Sequence, residues 1–183
     1  MKHEDHVRLL REGIEAPDPD GVWADFGSGQ GAFTLALADL LGPGATIYSI
    51  DRDARALDDQ RALMRSRFPD TTVHYIVANF IHPLDLPPLD GIIMANALHF
   101  VRDKDETVRL LRRYLRPPEK DDPSGRMILV EYNVDQGNTW VPYPLAYPTW
   151  EALSLRCGFR HTRRLATVPS RFLREIYSAL SLL

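Results

Sequence analysis

Three glycines alternate with other residues at Gly27, Gly29 and Gly31, and a carboxylate, Asp25, stands two positions ahead of the first. Val22–Phe26 predicts a short buried strand and a helical apolar pattern begins at Phe33, so the glycines form a strand-to-helix turn. Without Cβ atoms, such a turn lets the backbone touch a ligand. Gly27, Gly29 and Ala32 formally satisfy G-x-G-x-x-G/A, the dinucleotide fingerprint. A pyrophosphate there would face Asp25, whereas a positively charged ligand would be favoured by it. Asp51 follows 20 residues beyond Gly31, at the tip of the second predicted strand, where an acid can accept hydrogen bonds from a ribose diol. The same position also suits an N-cap of the next helix. Arg52 can lie along a flat base. His99 follows the fourth predicted strand and is the best-placed candidate for a general base, packing being the alternative. His74 lies within a strand and His82 in a proline-containing loop, and neither has an evident role.

The run Asp25-Phe26-Gly27-Ser28-Gly29-Gln30-Gly31 resembles motif I, D/E-x-G-x-G-x-G, of the class I S-adenosylmethionine-dependent methyltransferases. The resemblance implies S-adenosyl-L-methionine as cofactor, bound by Asp25, Gly27, Ser28, Gly29 and Gly31, with Asp51 and Arg52 at the ribose and adenine. In that family an aspartate after the third strand meets the adenine amino group. Here the segment reads Ala78-Asn79-Phe80, and the amide of Asn79 is a departure that can still accept the bond. Asn96-Ala97-Leu98-His99-Phe100 resembles the post-strand segment of the small-molecule branch, the ubiquinone-biosynthesis-type domains, and differs from the N/D-P-P-Y/F of amino-directed DNA enzymes. It puts Asn96 at the methionine end of the cofactor. Tyr132, Trp140, Tyr143 and Tyr147 are candidates to line a substrate pocket, ordinary surface aromatics being the alternative.

The elements that must position these residues alternate. Helices are expected over Asp5–Ile14 (within an N-terminal helical segment, 1–16), Ala32–Leu41, Ala54–Phe68, Asp103–Leu115 and Thr149–Cys157. Strands are expected over Val22–Phe26, Ala45–Ile50 ending on Asp51, Thr72–Ala78, Ile92–Ala95, Met127–Tyr132, about His161–Thr167, and Phe172–Leu182. Ile81–Leu89, a polar stretch through Ser124 and the 133–148 segment are loops, the last on the substrate side. The expected fold is α/β, a Rossmann-like three-layer sandwich. By the family resemblance its mostly parallel seven-stranded sheet has order 3-2-1-4-5-7-6 with strand 7 antiparallel, as a single domain over 1–183.

Composition sets the frame: 183 residues, 26% charged and 44% hydrophobic, fit a globular chain with a sizeable core. No run approaches the roughly 20 apolar residues of a membrane helix, and no signal segment leads the chain, so a cytoplasmic location is expected. Cys157 is the only cysteine and reads as a packed thiol; no metal site is expected. A net charge of −3 gives no general attraction to nucleic acid. The favoured function is methyl transfer to a small-molecule acceptor by a monomer or homodimer. The alternatives are an RNA- or protein-modifying methyltransferase that uses Arg109, Arg112, Arg113 and Arg116 on one side of a helix, and a silent methyltransferase-like binding subunit. NAD-dependent oxidoreduction ranks behind all three because of Asp25.

Overall fold

The computed structural model describes residues 1–14, 17–118, 125–170 and 172–183. Glu15 and Ala16, the end of the expected N-terminal helical segment, and residues 119–124 of the polar stretch lie outside the described residues. The elements in chain order are α1 (His3–Arg11), β1 (Val22–Phe26), α2 (Ala32–Leu41), β2 (Thr46–Asp51), α3 (Ala54–Arg67), β3 (Thr72–Val77), β4 (Gly91–Ala95), a 3₁₀ turn (Leu98–Phe100), α4 (Lys104–Arg112), β5 (Arg126–Tyr132), α5 (Tyr147–Arg156), β6 (His161–Pro169) and β7 (Glu175–Leu182).

One seven-stranded sheet runs in the order β3-β2-β1-β4-β5-β7-β6, with β7 antiparallel to both its neighbours and the other pairings parallel. Both faces are covered, so the central strands read as continuous apolar runs. On one face Leu9 and Leu10 of α1 and Leu37 and Leu41 of α2 pack against Trp23, Ile47 and Ile128. On the other, Val108 and Leu111 of α4 and Trp150 of α5 pack against Phe26, Met94, Leu129 and Tyr177. Strand alternation assigns the faces. Ala24 and Phe26 point to the second, Trp23 and hence Asp25 to the first.

Several expected boundaries move, four of them for an evident local reason. Helix α1 stops at Arg11, because the amides of Gly13 and Ile14 bond three residues back and tighten the chain out of the helix. Helix α4 stops at Arg112 in the same way, through Arg113, Tyr114 and Leu115. Helix α5 begins at Tyr147, inside the expected loop, since Asn133 Oδ1 accepts the Tyr147 amide at 2.9 Å and Asp135 Oδ1 that of Ala146 at 2.9 Å. These side chains supply what a helix start lacks. Strand β7 begins at Glu175 because Phe172 and Leu173 belong to a hairpin turn, where Ser170 Oγ accepts both their amides and Arg174 takes a positive φ of 54°.

Candidate active site

The carboxyl ends of β1 to β4 converge on a cavity of about 1100 Å³, ample for a nucleoside-sized ligand. Its wall contains Gly27 and Gly29 after β1, Asp51 and Arg52 after β2, Asn79 and Phe80 after β3, and Asn96 after β4. These sequence-predicted residues are thus brought together. Asp25, Ser28, Gly31, His99, Tyr132, Trp140 and Tyr143 are not in that wall, and their places differ.

The glycine turn is built from left-handed backbone, which favours glycine. Gly27 has φ 77°, and a Cβ on it would come within 2.5 Å of the Ala97 methyl. Gly31 has φ 83°, and its Cβ would collide with the Gln60 side chain on α3, so this glycine packs helix to turn and does not face the ligand. Gly29, by contrast, opens to free space. Below the turn, Ser28 Oγ and Ser49 Oγ are 2.7 Å apart, and Ser49 donates to Gln60 Oε1 at 2.8 Å. Ser28 therefore ties β1 to β2 and α3.

Asp51 holds the turn to β2. Its Oδ2 accepts the Gly29 amide at 2.8 Å and its Oδ1 the Asp53 amide at 2.9 Å. A carboxylate has about four lone-pair sites, so acceptor capacity remains toward the cavity. The helix-cap reading fails for Asp51, because α3 is capped by Asp53, which accepts from the amides of Arg55 and Ala56. Asn79 Oδ1 accepts the Ile81 amide at 3.3 Å, folding the chain around Phe80. Asn96 takes φ 51°, a left-handed backbone that costs about 1–3 kcal/mol. Its Oδ1 is enclosed with no hydrogen-bond partner. An orphaned acceptor in a strained residue on the cavity wall fits a ligand that donates a hydrogen bond there.

Asp25 is 1% exposed and lies under the turn, where its Oδ2 accepts Thr34 Oγ1 at 2.6 Å. Burial pushes its carboxyl up to about 7; the Thr34 bond opposes this, and the charge of Asp51 adds to it. The expectation that it meets a cationic ligand directly is not met in this geometry, because the alternation that buries Trp23 aims Asp25 at α2.

His99 sits on the 3₁₀ turn between Ala97 and Phe100, both in the cavity wall, yet it is itself buried. Its Nδ1 lies 2.8 and 3.0 Å from the two carboxylate oxygens of Glu131, a residue with no exposed surface. Glu131 also accepts the amides of His99, at 3.2 Å, and Tyr132, at 2.9 Å. Nε2 of His99 has no hydrogen-bond partner among the described residues. With Nδ1 donating to the carboxylate, Nε2 is left as the acceptor nitrogen. Sequence reasoning missed Glu131. The available signal was an acid closing the apolar strand Met127–Val130 at its carboxyl end, where a buried charge requires a partner.

Tyr132 flanks the imidazole, with ring centroids 5.9 Å apart. Its phenol is pushed up by burial and by the Glu131 charge. Tyr143 donates its amide to His99 O at 3.0 Å, and its ring lies 5.5 Å from the Lys104 ammonium. Trp140 projects into solvent, 74% exposed. Tyr147 starts α5 and bonds Glu151 through its hydroxyl. The four arginines do not form one helical stripe, since α4 ends before Arg113. Arg109 pairs with Asp105, Arg112 donates to Gly158 O, and Arg116 pairs with Asp90.

A family model described as a methyltransferase domain matches residues 18–138, more than half of the chain and all of the cavity wall. The chain belongs to the class I S-adenosylmethionine-dependent methyltransferase family. The chain is 29% identical over 111 residues to the ubiquinone/menaquinone biosynthesis C-methyltransferase UbiE of Pasteurella multocida, covering 60% of this chain and 39% of that protein. It is 28% identical over 89 residues to ribosomal RNA small subunit methyltransferase H of Methylobacillus flagellatus, covering 47% and 28%. The chain thus spans well under half the length of both relatives. Its fold is shared with YcgJ from Bacillus subtilis, with TM-score 0.76, 12% identity and 98% of each chain covered. Family membership implies S-adenosylmethionine as methyl donor, and the cavity's backbone cradle and the orphaned Asn96 acceptor suit it. Among the described residues no helix is long and apolar enough to cross a membrane.

Proposed function

We propose that the chain methylates a small-molecule acceptor, with His99 taking the acceptor's proton and Glu131 holding His99. When bound, S-adenosylmethionine supplies an electrophilic methyl group. Gly27, Gly29, Asp51, Arg52, Asn79, Phe80 and Asn96 would hold it, Asp51 at the ribose and Asn79 and Phe80 at the adenine. Asn96 Oδ1 would receive a donor at the methionine end. Asp25, Ser28 and Gly31 would act from beneath, by fixing the turn. Methyl transfer asks mainly for alignment, and positioning can supply roughly 7–11 kcal/mol of barrier reduction.

The observation that carries this reading is the enclosed His99–Glu131 pair, with His99 adjacent in sequence to Phe100 of the cavity wall. A carboxylate behind an imidazole fixes its tautomer and stabilises the imidazolium that proton transfer creates. Support for a small acceptor comes from the UbiE relative and from the arginines, three of which are engaged with the protein's own carboxylates or carbonyl. The test is transfer of labelled methyl from S-adenosylmethionine across a metabolite panel, with ribosomal RNA as a parallel arm. Label in a metabolite supports the reading. Label confined to RNA replaces it with the RNA-modifying alternative.

A further inference from the structure

We propose that the acceptor is a phenol, bound along a line of aromatic rings that starts at the cavity and passes over His99. This inference rests on the methyltransferase reading above. Phe100 lies in the cavity wall and is 60% exposed. Its centroid is 4.3 Å from that of His99, which is 5.9 Å from Tyr132, which in turn is 6.1 Å from Phe172, 49% exposed. Each successive pair is tilted by 53°. A single exposed Phe needs no explanation. Here two exposed rings end a continuous line of four, and one of its two inner members is an imidazole backed by a buried carboxylate.

The chemistry of that line selects its occupant. Tilted aromatic faces favour another planar ring by edge-to-face or offset contact. Within the line the only polar groups are the His99 imidazole and the Tyr132 hydroxyl. Among the described residues the ionisable neighbours include Glu131, bonded to His99, Tyr177, paired with Glu131 across the sheet, and Lys104 on α4, which donates to Val101 O at 2.7 Å and lies against the face of Tyr143. A phenol presents both features required, a flat apolar body and one acidic hydroxyl, which ionises near the tyrosine value of about 10. In the step assigned to this chain, the phenol O–H bond breaks, the proton forms a bond to His99 Nε2, and the electron pair stays on the phenolate oxygen. The imidazolium keeps its Nδ1–H bond to Glu131, so the new positive charge meets an existing negative one. An aliphatic alcohol offers neither the flat body nor the acidity.

The probe is 4-nitrophenol, whose phenolate has its own absorption band, titrated with the full chain without cofactor. In a parallel cell, S-adenosylhomocysteine binding is followed by calorimetry. The expected result is saturable binding with the apparent ionisation midpoint of the bound probe lowered by about one pH unit, as for an acid beside a fixed cation-forming partner. His99→Gln should abolish that shift. Phe172→Leu, an exposed substitution that leaves the core intact, should weaken binding about two- to tenfold, and cyclohexanol should fail to compete where phenol competes. If S-adenosylhomocysteine binds and 4-nitrophenol does not, the phenol site is overturned and the methyltransferase reading stands. If neither binds, both fall. Binding that ignores both His99→Gln and Phe172→Leu also overturns the proposal, since the probe then sits elsewhere.

Discussion

Asp25 and Glu131 are both enclosed carboxylates, and their partners give them different chemistry. Asp25 has one hydroxyl partner, Thr34, and its carboxyl is raised from 3.8 to about 7 chiefly by burial. Between those values the folded chain keeps a proton that the unfolded chain releases, so this group's contribution to stability falls as pH rises through the window. Asp25→Asn should therefore gain stability relative to wild type at pH 8 and show little gain below about pH 4; thermal melts of both proteins across pH test it, and a constant offset would refute the raised carboxyl. Glu131 instead faces an imidazole and two amides. Glu131→Ala leaves the buried Nδ1–H of His99 without its acceptor and should cost about 1–3 kcal/mol, with Glu131→Gln restoring the fold more than the activity. The motif around Asp25 was legible in the sequence, but its aim was not, because only strand alternation against α2 fixes it. Glu131 was illegible because its partner is 32 residues away on another strand's exit.

At the scale of elements, the turn between β1 and α2 is held by what lies beneath and beside it. Asp51 fastens the Gly29 amide, and Gly31 admits Gln60 from α3. Asp51→Ala removes a bond to a charged acceptor and should weaken S-adenosylhomocysteine by about 1.5–3 kcal/mol in calorimetry. Gly31→Ala combines a positive φ with a collision at Gln60, so it should lower the melting temperature and weaken the ligand together. A Gly31→Ala variant with unchanged melting temperature would show that the turn can shift without α3. Strand and helix order were readable because each apolar run is broken by Gly, Pro or Asp. The ends of α1, α4 and α5 were not readable. They depend on i→i+3 tightening and on Asn133 and Asp135 reaching across from a loop, neither of which has a local signature.

For the whole molecule, the cavity matters because it is assembled from the exits of four strands, β1 to β4, spread across the sheet. No part of the chain can unfold that half of the sheet and keep the ligand, so binding should stabilise the domain globally. At a ligand concentration 100 times Kd, linkage gives about 2.7 kcal/mol. For a chain of this size each kcal/mol moves the melting temperature by about 2–4 °C, so S-adenosylhomocysteine should raise it by about 5–11 °C. NAD at the same concentration should leave it unmoved, because the chain belongs to the methyltransferase family, whose cofactor carries a sulfonium and no pyrophosphate. Differential scanning calorimetry with each ligand decides this. A shift with NAD and none with S-adenosylhomocysteine would mean that the glycine turn cradles phosphates.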